Sequence, residues 1–142
     1  MIVGLNPSKQ RFANLRHPFG GGGNLKQDKN AKFLEIFKRF KIFDRCYITN
    51  LVKCSTDDNK VRPKTIEQCF QHFKREIEFC KPKLIIAAGN QVYNFLEQNM
   101  IKNLEKIYHP SYCFSYRGIT LENYILQIKS ILKKYRLLRV KI

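Results

Sequence analysis

Leu84-Ile85-Ile86-Ala87-Ala88 is an unbroken apolar run bracketed by Pro82-Lys83 and Gly89-Asn90. A strand that is apolar at every position has no face to give to water. It belongs inside a sheet covered on both sides, the usual state of parallel strands joined by crossover helices. Residues 1–5 form another short apolar stretch, which stops at Asn6-Pro7-Ser8 because Pro7 has no N–H to continue a ladder. Residues 46–52 and 106–108 supply two more strand candidates.

Segments of helical period lie between them. Asn30 is placed to cap a helix through about Phe40, with Phe33, Leu34, Phe37 and Phe40 on one face. Thr65 and Gln68 form a capping box for a helix striped by Ile66, Cys69, Phe70, Phe73, Ile77 and Cys80 and ended by Pro82. A third helix runs from Gly89-Asn90 to about Gln98. A last one from Thr120 carries Leu121, Tyr124, Ile125, Ile128, Ile131, Leu132 and Tyr135. This alternation predicts a three-layer α/β/α sandwich around a four-stranded parallel sheet. At 142 residues the chain is expected to be one domain.

Two stretches stay outside that pattern. Residues 9–29 have no sustained periodicity and contain Pro18 and four consecutive glycines, 20–23. Residues 109–118, His-Pro-Ser-Tyr-Cys-Phe-Ser-Tyr-Arg-Gly, are expected to be a loop between the fourth strand and the last helix. A histidine, two serines, an arginine and three aromatics on a rigid sheet rim suit a phosphate backbone with bases beside it. Charge points the same way: 27 Lys and Arg against 11 Asp and Glu give +16. A polyanion is the natural partner, although a solvated lysine-rich surface has the same composition.

No run of 18 apolar residues is present, and Met1-Ile2-Val3 enters a strand without a signal-like leader. An intracellular protein of cytoplasm or nucleoid, neither secreted nor membrane-bound, is expected. Five cysteines with no CxxC pair fit a reducing compartment better than a disulfide framework.

Open parallel sheets bind ligands outside the carboxyl ends of their strands, here Asn6, Asn50, Gly89 and His109. At these ends the chain resembles the uracil-DNA glycosylase superfamily. Gly4-Leu5-Asn6-Pro7-Ser8 is similar to the mismatch-specific and single-strand-selective branches. Tyr47-Ile48-Thr49-Asn50-Leu51-Val52-Lys53-Cys54, and the middle third in general, resemble the iron-sulfur branch. His109-Pro110-Ser111 through Tyr116-Arg117-Gly118 has the spacing of the main uracil-excising branch.

The resemblance implies a monofunctional enzyme that flips deoxyuridine from DNA and hydrolyses its glycosidic bond, acting as a monomer on uracil-containing DNA. Asn6 would position the water and His109 would donate to the uracil carbonyl on which charge accumulates. Gly4, Leu5 and Pro7 would frame the pocket, Phe19 would stack on the base, Gly20 would let backbone approach it, and Asn50 would read its Watson-Crick edge. Gly89 and Asn90 open a helix able to offer amides to a phosphate. Ser111 and Ser115 with backbone amides would pinch phosphates, Arg117 would contact another, and Tyr112, Cys113 or Phe114 would fill the gap left by the flipped nucleotide.

Each residue also has a plainer role. Asn6 suits a turn before proline, His109 a strand end, Asn50 a tie on its own strand, the glycines a flexible loop and Arg117 a solvated surface. Cys54 and Cys69 resemble one cysteine pair of the iron-sulfur branch, but its N-terminal pair has no counterpart. No cluster is expected, unless Met1 is a truncated start. A DNA-binding module without catalysis is the alternative of a different class. A nucleotide-binding enzyme fits less well, because no Gly-Lys-Ser/Thr follows the glycines.

Overall fold

The computed structural model describes residues 1–7, 29–56 and 60–138, with Lys29 and Asn30 described by backbone alone. The expectations for Phe19, Gly20 and the rest of the glycine run fall outside the described residues. In chain order the elements are β1 (Ile2–Gly4), α1 (Lys29–Arg39), a 3-10 turn (Phe43–Arg45), β2 (Ile48–Asn50), α2 (Pro63–Cys80), β3 (Ile85–Ala88), α3 (Asn90–Gln98), β4 (Leu104–Ile107), α4 (Pro110–Phe114) and α5 (Leu121–Lys134). The strands form one sheet in the order β2-β1-β3-β4, and every pairing is parallel.

Alternation along the strands divides the core in two. Ile2, Leu84, Ile86, Ala88 and Ile107 pack with Phe33 and Phe37 of α1, Cys113 of α4, and Tyr124, Ile128 and Leu132 of α5. Val3, Ile85 and Ala87 turn to the other face, against Ile66 and Phe73 of α2 and Val92 and Leu96 of α3. The sheet therefore lies between α1, α4 and α5 on one side and α2 and α3 on the other, which is the expected three-layer arrangement. Among the described residues, no helix is long and apolar enough to cross a membrane.

Several element boundaries differ from expectation, each for a local reason. Helix α1 already includes Lys29, so Asn30 lies in its first turn and is not its cap. Helix α2 starts at Pro63, not at a Thr65 cap, and Arg62 at its N-cap makes no side-chain capping bond. Proline at the first helical position has its φ preset and lacks only an N–H that no helix would use there. Strand β4 begins at Leu104 and ends before Tyr108. Its pairing with β3, Leu104 on Ile85 through Ile107 on Ala88, sets those limits. The half-buried Glu105 interrupts its apolar pattern, and that carboxylate accepts from Lys134 and Tyr135 at the end of α5.

Residues 109–118 are not all loop. Pro110–Phe114 is a short helix, with proline again in the first turn. Tyr124 anchors the chain just before it: its ring is fully buried and its hydroxyl donates to the Tyr108 carbonyl at 2.7 Å. Burial pushes that phenol well above the ordinary tyrosine value. Because the folded state holds the proton after the unfolded state has lost it, this residue's contribution is complete below about pH 10 and declines as pH rises further. Tyr124→Phe is expected to lower stability by about 1–3 kcal/mol through the unpaired Tyr108 carbonyl. In urea unfolding the midpoint should fall with no change in slope, and the loss of stability above about pH 10 should become shallower than in the parent.

Candidate active site

All four strands run the same way, so their carboxyl ends form one rim. Gly4 is level with Asn50, Val3 with Ala87, and Ala88 with Ile107. Continuing each strand into its loop places Asn50, Asn6, Gly89 and His109 in that order across the sheet. With about 4.8 Å between strands, the outer two are roughly 14 Å apart, a span that admits a nucleotide base between their side chains. Gly4, buried beside Asn50, adds no side chain to that space.

Asn50 is buried and its main chain is clamped. The Lys53 ammonium donates to the Asn50 carbonyl at 2.6 Å, to Thr49 Oγ1 at 2.8 Å and to Glu76 Oε2 at 2.7 Å. Thr49 in turn donates to Glu76 Oε1 at 2.9 Å, and the Tyr47 hydroxyl reaches the same oxygen at 3.2 Å. A charged pair partly withdrawn from water keeps its geometry when its remaining donors and acceptors are also matched, as here. Sequence reasoning missed Lys53 and Glu76. The signal was present in the α2 stripe: Glu76, three residues after Phe73 and four before Cys80, is a carboxylate on the buried face.

His109 is both strand end and helix cap. Its Nδ1 accepts the Ser111 N–H at 3.1 Å, a bond available only to a neutral imidazole whose proton is on Nε2. The ring is thereby set as an Nε2–H donor at the rim. Gly89 lies directly beside it, with its N–H bonded to the Ile107 carbonyl at 2.9 Å and its φ at +102°. A β-carbon there would sit 3.5 Å from that of His109, in a backbone region that side chains rarely adopt. Asn90 follows, exposed, as the first residue of α3. Asn6 is half-buried, and its amide nitrogen is 3.4 Å from the Pro7 carbonyl. Pro7 is buried, and Leu5 packs on the α2–α3 side of the core.

The loop residues divide differently from expectation. Cys113 is buried and Phe114 meets Tyr124 edge to face at 6.2 Å between ring centres. Both are held in the core, because a helical turn at residues 110–114 points them at α5 and leaves Tyr112 outside. Of the three candidate gap-fillers, Tyr112 alone is exposed. The backbone amides expected to pinch phosphate are also engaged. Ser111 N–H binds His109, those of Ser115 and Tyr116 bind the Ser111 carbonyl, and that of Gly118 binds the Tyr112 carbonyl. Of the side chains expected to meet phosphate at this loop, Ser115 and Arg117 are exposed and Ser111 is half-buried.

Four thiolates are the usual ligand set of an iron-sulfur cluster. Cys54 is exposed after β2, while Cys69 is half-buried against the α2–α3 core. Cys46 and Cys80 line a cavity with Met1 and Leu84 at the opposite end of the sheet. Among the described residues, no three His, Cys, Asp or Glu side chains are grouped to hold a metal. These residues do not fit a cluster by themselves.

Gly118 has a separate task. A β-carbon built on it would lie 2.1 Å from Cε2 of Tyr112, so the tyrosine ring rests on the bare glycine. Gly118→Ala is expected to displace the ring and to destabilise the parent, yet to be nearly neutral in a Tyr112→Ala background. A coupling of about 1 kcal/mol or more in a urea double-mutant cycle would bear this out, and additivity would contradict it.

The Uracil DNA glycosylase superfamily model matches residues 1–133. A Type-4 uracil-DNA glycosylase of Sulfurisphaera tokodaii is 26% identical over 121 residues, which make up 82% of this chain and 53% of that protein. The chain spans about half the length of this relative. With the family model matched from the first strand into the last helix, and with the strand-end residues assembled on one rim, the chain belongs to the uracil-DNA glycosylase superfamily.

Proposed function

We propose that the protein excises uracil from DNA by hydrolysing the bond between C1′ of deoxyribose and N1 of the base, leaving an abasic site. The observation that carries this reading is the placement of His109. Its imidazole, held at Nδ1 by the Ser111 N–H, stands on the rim that also carries Asn50 and Asn6. As the C1′–N1 bond breaks, its electron pair moves into the base and charge gathers on a carbonyl oxygen. The Nε2–H donates to that oxygen, and it does so without first having to be charged. Asn50 pairs with the uracil edge through one amide acceptor and one donor, a pattern opposite to that of cytosine. Asn6 holds the water that adds to C1′ on the opposite side from the departing base. The proton that water sheds balances the uracil anion, so that a C1′ hydroxyl and free uracil are the products.

A monofunctional course, with water as the nucleophile, is supported by Lys53. Near the rim this amine has all three N–H groups directed at Thr49, Asn50 and Glu76. An ammonium so occupied is not a ready nucleophile for the sugar. DNA as the polymer is supported by the +16 charge, with Asn90, Ser115 and Arg117 exposed beside the site.

Alkaline strand scission of a labelled oligonucleotide carrying one uracil, with thymine and cytosine controls, tests this reading. Scission is expected at uracil alone. His109→Ala should lower kcat by about 10²–10³-fold, the usual cost of one preorganised donor. Asn6→Ala should lower turnover more than binding, and full activity in that variant would remove Asn6 from the mechanism. No scission, with DNA binding that weakens as salt rises, would favour a binding module instead.

A further inference from the structure

The loop around His109 carries aromatic surface that the excision step does not use. Tyr108 immediately precedes the histidine and Tyr112 follows it by three residues. Both are exposed, at 46% and 40%, whereas most large apolar side chains among the described residues are buried or half-buried. Their rings lie 4.8 Å apart between centres and are tilted by 32°. Both are held firmly. The Tyr108 carbonyl accepts from the buried Tyr124 hydroxyl at 2.7 Å, and the Tyr112 N–H donates to the His109 carbonyl at 2.8 Å while its ring rests on Gly118. Exposed tyrosines fixed in this way lose little freedom when something stacks on them.

The residues of this loop expected to serve a duplex are engaged elsewhere. Drawing a nucleotide out of paired DNA leaves a gap, and a side chain that fills it offsets the lost stacking. At this loop Cys113 is buried, Phe114 is packed on Tyr124, and the exposed Tyr112 is stacked against Tyr108 and seated on Gly118, so none of the three expected gap-fillers stands clear to enter such a gap. An unpaired strand leaves no gap and presents base faces, which aromatic side chains take irrespective of sequence. The cations needed to follow its backbone, Lys106 and Arg117, are exposed on either side of the loop.

We infer that Tyr108 and Tyr112 form a stacking platform for the base next to the extruded uracil, and that single-stranded DNA is the preferred substrate form. This rests on the glycosylase reading above and adds to it the strand state of the substrate.

The test has two arms. In the first, kcat/KM for uracil release is measured on one oligonucleotide, single-stranded and annealed to its complement, for the parent, Tyr112→Ala, Tyr108→Ala and Tyr112→Phe, with thermal unfolding to verify that each variant folds. In the second, fluorescence anisotropy follows binding of a uracil-free single strand and its duplex. The parent should favour the single strand by about tenfold or more, the usual scale of one stacked base. Either alanine variant should reduce that ratio severalfold, and Tyr112→Phe, which keeps the ring, should retain it. Equal rates on both forms, or a ratio unmoved by both alanine variants, would overturn the platform. No excision of any substrate, with single-strand binding that still depends on Tyr112, would uphold the platform and overturn the glycosylase reading. No excision with binding indifferent to both tyrosines would overturn the two together.

Discussion

Burial of the central strands on both faces is the constraint from which the rest of the architecture follows. Val3 and Ile2 of β1, and Ile85 through Ala88 of β3, direct apolar side chains alternately to the two helix layers. Polar chemistry has almost no place along such strands, because each buried polar group must find a partner there. It is displaced to the ends. Since all four strands are parallel, those ends converge on one rim, and Asn50, Asn6, Gly89 and His109 come together from positions spread over a hundred residues of chain.

At that rim the bonds that hold the fold also prepare the side chains. His109 closes β4, caps α4 and has its tautomer chosen by the cap. Lys53 ties the end of β2 to α2 through Glu76 and in the same contact fixes the main chain of Asn50. Gly89 turns β3 into α3 beside the histidine at a φ that suits glycine. A site built from such shared contacts has its groups placed before any ligand arrives, which is what the proposed stabilisation of a departing anion requires.

Much of this was legible in the chain. Continuous apolar runs marked β1 and β3, stripes at helical spacing marked α1, α2 and α5, and the residues at strand ends were recognisable as a set once the sheet was taken as parallel. Weak local signals explain what was not. Strand β4 was misplaced because Glu105 breaks its apolar pattern, and α4 was overlooked because five residues hold too little periodicity to announce a helix. Glu76 stood at a stripe position of α2, but its partner Lys53 lies 23 residues away, and spacing does not identify such a partner.

The loop residues mark the boundary between the two kinds of information. Sequence by itself determined the fold class, the order of the strands along the chain and the polar residues that follow them, because period, apolar run length and proline act locally. Only the tertiary structure decided which side chains of residues 109–118 face outward. Whether Tyr112 or Phe114 is exposed depends on where Tyr124 sits across the α4–α5 contact, and whether His109 has its proton on Nε2 depends on a cap that forms when Pro110–Phe114 turns helical. Orientation is a property of packing between distant segments, and it exists only once they have met.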